Sequence, residues 1–385
     1  MFLALRSLVF QRGRYALIGL VIGLLALLTM MLSGLSVGLV NDGVSGLKSL
    51  PATAFAFESG TKADNAFSRS AVDDGQRRDW QSEPGIAEAE LFGVSLINAR
   101  TAGGQDIDLS LFGFVPGGFL EPEIGEGSAI DSPAGIVLSA TAREDGVAIG
   151  DTITLDRVDT ELEVMGFTPG QATFGHVDVG YVPLATWQYV ASGTSSPGQP
   201  DDQTIADGRI DTASVVALRT VDGHSLEAAG VDVATADSAA DTTMMTLTEA
   251  FGASPGYTAE TTTISLIQGF LYIIAALVIG AFFTVWTVQR QHELAVLRAV
   301  GASTGFLLRD GIMQAAVLLV TFTGVGVAAG ASLAALMPAG VPFSIEAGPV
   351  AGAALLMITL GLVGAALAVL RIARIEPATA LGGNR

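Results

Sequence analysis

With 385 residues, 50% of them hydrophobic and only 15% charged, the chain is too apolar for an ordinary soluble protein. Its formal net charge of −19 argues against nucleic acid or anionic lipid headgroups as binding partners. The absence of cysteine excludes disulfides, cysteine-held metals and thiol redox chemistry.

From the N-terminus, "MFLALRSLVFQRGR" (1–14) reads as a short amphipathic helix on the cytoplasmic side. The charge-free run 15–41 is predicted to be the first transmembrane helix. It is too long for a signal-peptide core and no small-x-small site closes it, so it is read as uncleaved. Residues 42–260 are acid-rich and punctuated by Gly and Pro. Within them "GIVLSA", "DTITLDR", "TELEVMGFT", "VDVGYVPL" and "TASVVALRT" mix apolar and polar residues as half-buried strands do. A small helix is expected near "SLEAAG", and "ASGTSSPGQPDDQ" reads as an exposed loop.

Three further transmembrane helices are predicted at 261–288, 306–336 and 347–370, with "MPAGVPFS" a turn before the last. Residues 289–303, "QRQHELAVLRAVGAS", read as a compact cytoplasmic helix, and 371–385 as a cytoplasmic tail. The fold class is therefore membrane α-helical: four transmembrane helices, with an extracytoplasmic α+β domain inserted between helices 1 and 2. Gly19 and Gly23, Gly34 and Gly38, and Gly326 and Gly330 are each four apart, a spacing that lets helices approach closely within one subunit or across a dimer.

Arginine sets the orientation. Arg6, Arg12 and Arg14 precede the first span, Arg290, Arg298 and Arg309 lie between the charge-free stretches of spans two and three, and Arg371, Arg374 and Arg385 follow the last. The segment from Asn41 to Thr262 instead holds 34 acids against 10 bases. By the positive-inside rule both termini face the cytoplasm and the large domain lies outside the cell membrane.

Several chemistries are missing. The only lysines, Lys48 and Lys62, sit in "GLKS" and "GTKA", so there is no P-loop. "HELAV" opens like a zinc-protease helix, but Val296 stands where the second His must be. His176 and His224 have no motif context and read as surface or packing residues. The four charge-free runs, 15–41, 261–289, 311–345 and 347–370, contain no Asp, Glu, Lys, Arg or His, and so no ionisable relay for proton-coupled transport.

The 289–303 helix carries one apolar stripe, with Leu294 and Leu297 three apart and Val296 and Val300 four apart, and Gly301 placed to close it. Such a helix docks into a partner's groove or lies against headgroups as a solvated connector. Its sequence resembles the loop between spans two and three of the FtsX/MacB-type ABC permeases. "RIARIEPATAL" (371–381) resembles that family's terminal signature, and "IVLSATAREDGVAIGDTITL" more weakly resembles a segment of its outer domain. The resemblance implies a homodimeric permease, without its own nucleotide site, bound to two copies of a separate ATPase that holds ATP and Mg²⁺. It places Glu293, Leu294, Leu297, Arg298 and Ala302 at the ATPase interface.

Size and the single outer domain look most similar to the family's haem-exporting members, which makes haem the expected cargo. The alternatives are another amphipathic drug, peptide or lipid-like molecule, or a non-transporting permease that regulates an extracellular cell-wall hydrolase or sensor. No intrinsic cofactor is expected, and no metal site beyond ligands to haem iron. Haem iron accepts Met and Tyr. Met30 and Met31 fall roughly 22–24 Å along the first span from Tyr15, in the outer half of a ~30 Å core. Glu58, Tyr257 and Glu260 are candidates near the outer ends of spans one and two. Methionine in an apolar helix also serves as ordinary packing, and that reading stands beside the ligand one.

Overall fold

The computed structural model describes residues 12–290, 296, 300–338 and 341–373. The chain divides into two compact units, one of residues 1–39 with 261–385 and the other of residues 40–260. In chain order the elements are α1 (Arg12–Lys48), β1 (Ala54–Glu58), α2 (Ala66–Arg69), α3 (Asp74–Gln81), β2 (Ile86–Thr101) and β3 (Asp106–Phe114). Then come β4 (Glu126–Gly127), β5 (Gly135–Leu138), β6 (Thr152–Leu155), β7 (Thr160–Phe167), β8 (Thr173–Phe174), β9 (Val177–Pro183), α4 (Leu184–Ala191) and α5 (Asp202–Gly208). The remainder are β10 (Val215–Thr220), α6 (Val233–Ala240), β11 (Thr242–Thr246), α7 (Leu247–Ala250), α8 (Tyr257–Gln289), α9 (Thr304–Ala334) and α10 (Ala347–Ala373).

The first unit is helical, and α1, α8, α9 and α10 are each long and apolar enough to cross a membrane. Their burial runs opposite to that of a water-soluble bundle. On α1, Leu17, Leu20, Leu24 and Leu28 are more than half exposed, whereas Ile18, Ile22, Ala26, Thr29 and Met30 are buried. On α8, Leu266, Phe270, Ile273 and Leu277 point outward while Leu271, Ala275, Ile279 and Phe283 are buried. Large aliphatic side chains thus occupy the lipid-facing side, while the seam between helices mixes small and polar residues such as Ala26, Thr29 and Ala275 with Ile18, Ile22, Ile279 and Phe283.

Glycines set how closely those seams close. A Cβ on Gly326 of α9 would lie 2.3 Å from the Gly23 carbonyl oxygen of α1, and one on Gly19 would strike the Phe322 ring. Gly34 and Gly38 are similarly covered by Phe343 and Pro342, and Ser344 N–H donates to Gly34 O at 3.1 Å. The spaced glycines seen in the sequence are therefore used for packing within one chain.

The second unit is an α+β domain built on an 11-stranded sheet in the order β11-β1-β10-β2-β3-β9-β5-β7-β4, with β6 and β8 pairing off that path. Period-2 alternation gives it a core on each face. Ala54 and Ala56 of β1 join Val216 and Leu218 of β10 in one cluster, while Phe55 and Phe57 join Val215 and Ala217 in the other. The second cluster is aromatic: Phe67 meets Phe55, Phe57 and Phe174 edge-on with centroids 5.0–5.7 Å apart. Such pairs add about 0.5–1.5 kcal/mol each beyond burial. Gly93 and Gly113 face each other across β2 and β3, and the Trp187 side chain fills the space that two Cβ atoms would take.

The five segments expected to be strands are β5, β6, β7, β9 and β10. The helix expected near "SLEAAG" is a single turn: Ala229 N–H reaches Ser225 O, and Gly230 at φ +76 ends it. The helix begins later, at Val233, where the Asp232 carboxylate caps Thr235 N–H.

Candidate functional site

In the membrane unit, Met30 is 2% exposed and lies over Gly330, where an added Cβ would sit 2.7 Å from the Met30 sulfur. Met31 is half-buried. Met30 also borders a cavity of about 10 Å³ lined with Thr29, Thr323, Val327, Val350, Ala353 and Met357, enough for about one water. The Thr29 and Thr323 hydroxyls are buried and have no hydrogen-bond partner among the described residues. In this conformation Met30 is a packing residue of the α1–α9 seam.

At the opposite end of α8, the Arg290 guanidinium stands 5.0 Å from the centre of the Trp286 ring and donates to Gln314 Oε1 at 3.0 Å. Gln314, 1% exposed, donates in turn to Asp310 Oδ2 at 2.7 Å. This polar chain joins α8 to α9 on either side of the segment expected to dock on an ATPase. Of that segment, Glu293, Leu294, Leu297 and Arg298 lie outside the described residues. Ala302 is half-buried, Val296 and Val300 are exposed, and Val300 N–H donates to Val296 O. Gly301 has φ +105, a conformation natural to glycine, and the Ser303 hydroxyl caps α9 by accepting from Phe306 N–H.

In the outer unit the three candidates part company. Glu58, at the exposed end of β1, accepts a long hydrogen bond from Ala71 N–H at 3.4 Å. Tyr257 meets the Phe251 ring edge-on at 6.2 Å. Glu260 is engaged by a residue that sequence reading had set aside: His176 Nε2 lies 3.0 Å from Glu260 Oε2, and His176 Nδ1 lies 3.0 Å from Asp42 Oδ2.

Local backbone chemistry puts the ring there. β8 and β9 form a hairpin in which Phe174 pairs with Val177, leaving Gly175 and His176 as its two-residue loop. Both have positive φ, +63 and +66, as a type I′ turn requires. Histidine in this left-handed region costs about 1–2 kcal/mol where glycine costs nothing. Gly175 N–H donates to Gly43 O, and the Ser254 hydroxyl donates to the same carbonyl. The ring lies against Gly43 at a distance where an added Cβ would make ordinary contact, 3.5 Å.

Partial burial pushes the His176 pKa down, but the Asp42 hydrogen bond and the Glu260 charge outweigh it, and the net shift is upward from 6.5. Burial raises Asp178 against the hydroxyls of Thr141 and Ser139, and pushes the Tyr181 phenol up to about 12. Among the described residues no group of three His, Asp or Glu side chains is arranged to hold a metal ion.

Comparison with known proteins agrees with this architecture. Residues 15–236, more than half of the chain, match the MacB-like periplasmic core domain, and residues 265–377 match the FtsX-like permease C-terminal family. A permease protein of Staphylococcus haemolyticus named for hemin transport, HrtB, is 24% identical over 384 residues, covering 99% of both chains. Its namesake from Staphylococcus epidermidis is 34% identical over 131 residues, 34% of this chain and 37% of that one. An uncharacterized ABC transporter permease of Mycobacterium tuberculosis is 23% identical over 383 residues, 100% of this chain and 99% of the relative. Four membrane-spanning helices, a large inserted domain of periplasmic type and these two matches place the chain in the family of FtsX/MacB-type ABC transporter permeases, which act with an ATPase partner.

Proposed function

We propose that the chain is the permease subunit of an ATP-driven efflux pump, with haem taken from the membrane as its cargo and ATP hydrolysed by a separate subunit. The observation that carries this reading is the end-to-end likeness to a relative named for hemin transport. The lack of ionisable residues in the apolar runs supports an energy source outside the chain. In this reading two copies of the chain pair in the cell membrane with both termini cytoplasmic. The 289–303 segment meets the ATPase through Glu293, Leu294, Leu297, Arg298 and Ala302.

Of the candidate haem ligands, Met30 and Met31 belong to the membrane unit, and Glu58, Tyr257 and Glu260 to the outer unit. Met30 reaches cargo only in a state where α1 and α9 have parted, because its sulfur now packs on Gly330. Glu260 holds His176 through Oε2, so its use by cargo would compete with that contact. Met31, half-buried, needs neither change.

Haem titration of the purified chain in detergent, followed by Soret absorbance, tests the proposal. A saturable shift near one haem per two chains, weakened in Met31→Leu, is the expected result. No shift, together with a partner ATPase that ignores haem, removes haem and leaves another amphipathic cargo or a transmitting role.

A further inference from the structure

Cargo binding and ATPase docking give no role to His176, which bridges Asp42 and the candidate ligand Glu260. We infer that His176 is a positioning residue, a proton-sensitive clasp that holds the final turns of α1 to the first turn of α8 at the outer unit. The argument rests on donor count. Both ring nitrogens lie 3.0 Å from a carboxylate oxygen, and an ionised carboxylate can only accept. Imidazolium supplies two N–H donors and satisfies both. Neutral imidazole supplies one, so its other nitrogen directs a lone pair at a carboxylate and one arm of the clasp opens.

A second observation points the same way. The turn places histidine at φ +66, where glycine would sit without strain, so the local fold alone gives no reason for this residue. The contacts around it are otherwise closed. Asp42 Oδ1 accepts from Gln171 Nε2 at 3.0 Å, which fixes the carboxylate with its other oxygen toward the ring. The charged groups facing the imidazole are Asp42 from α1 and Glu260 from α8. Asp178 on β9 adds negative field at Asp42 while its own carboxyl is held by Thr141 and Ser139. Lys48, on the same helix as Asp42, bonds Asn41 Oδ1.

The sign of the pH response follows. A histidine whose folded pKa is raised contributes stability that is fully present below its unfolded value of 6.5. That contribution is lost as pH rises through the higher folded value. Acidification therefore fastens the two helix ends, and alkaline conditions free them.

The chain's lack of cysteine makes the test direct. Spin labels at Lys48→Cys and Ala259→Cys, both exposed, report the spacing of the two helix ends in the full chain in lipid nanodiscs. A narrow distance distribution is expected at about pH 6, with a broader or longer one at about pH 9. His176→Gly suits the positive φ, keeps the hairpin unstrained, and is expected to give the broad distribution at both pH values. Glu260→Gln retains an acceptor but loses the charge, and is expected to blunt the response. A wild-type distribution that does not change with pH, or a His176→Gly chain that still narrows at low pH, overturns the inference.

Discussion

At Gly326 the backbone of α9 runs against that of α1, and alanine there puts the seam under direct test. The new Cβ would lie 2.3 Å from Gly23 O and 2.7 Å from the Ala26 Cβ. The oxygen belongs to helix backbone and cannot rotate away, so the helices must separate by about 1 Å to restore ordinary contact. Such a gap forfeits roughly a quarter to a half of each dispersion contact along the row, including Phe322 in the Gly19 notch and Met30 on Gly330. Overpacking of this kind costs about 1–3 kcal/mol, and the shared row argues for the upper half of that range. Gly324, two residues away, has nothing within 4 Å of its would-be Cβ and serves as the internal control. SDS-titrated unfolding of the chain in bicelles should therefore leave Gly324→Ala at or above wild type and move Gly326→Ala clearly below it. Adding Ala26→Gly relieves the 2.7 Å contact but leaves the 2.3 Å one, so it should restore less than half of the loss. Equal stability of the two alanine variants would refute the packing argument.

Gly93→Ala should push the Trp187 indole off its seat and break its Nε1–H bond to Ser95 Oγ, now 3.0 Å, with a loss of about 1–3 kcal/mol. A red-shifted tryptophan emission measures it, and unchanged emission with unchanged stability contradicts it. Gln314→Leu keeps the volume but removes the hydrogen bond accepted from Arg290 and the one donated to Asp310, and should loosen the α8–α9 end by about 2 kcal/mol. The readout is faster tryptic cleavage after Arg290, with an unchanged rate as the opposing result.

The membrane helices were legible because charge-free runs leave few alternatives, and the charged residues that bound them, from Arg14 and Asp42 to Glu346 and Arg371, mark where each run stops. Which way each helix turns was not legible, since lipid-facing leucines and seam-facing isoleucines look alike in composition. "MPAGVPFS" reads as a plain turn from its Pro and Gly, yet Pro342 and Phe343 fill the notches of Gly34 and Gly38. In the outer domain β2 escaped notice. Its burial alternates at the N-terminal end but becomes continuous from Leu91 to Val94, where both faces are covered and period 2 disappears. His176 stayed invisible for a different reason. Its partners lie 134 and 84 residues away, and neither Asp42 nor Glu260 sits in a motif. The Gly-His pair before "VDVGYVPL" was the available clue, because a glycine leading into a strand signals a tight hairpin whose next residue is displayed at its tip.

The place of β1 in the sheet also governs how the protein can be made. Ala54 pairs with Leu218 on one side and Thr246 on the other, so the strand is synthesised long before either neighbour. At ~5–20 residues per second it waits roughly 8–33 s for β10 and roughly 10–40 s before its second edge can close, carrying the apolar sequence "AFAF". A nascent chain of this kind needs shielding until Thr246 appears, and α8 follows at once from Tyr257. Closure of the outer sheet and delivery of the second membrane helix are thus a single moment in biogenesis, and a message cut before that point leaves β1 with at least one bare edge rather than a smaller domain.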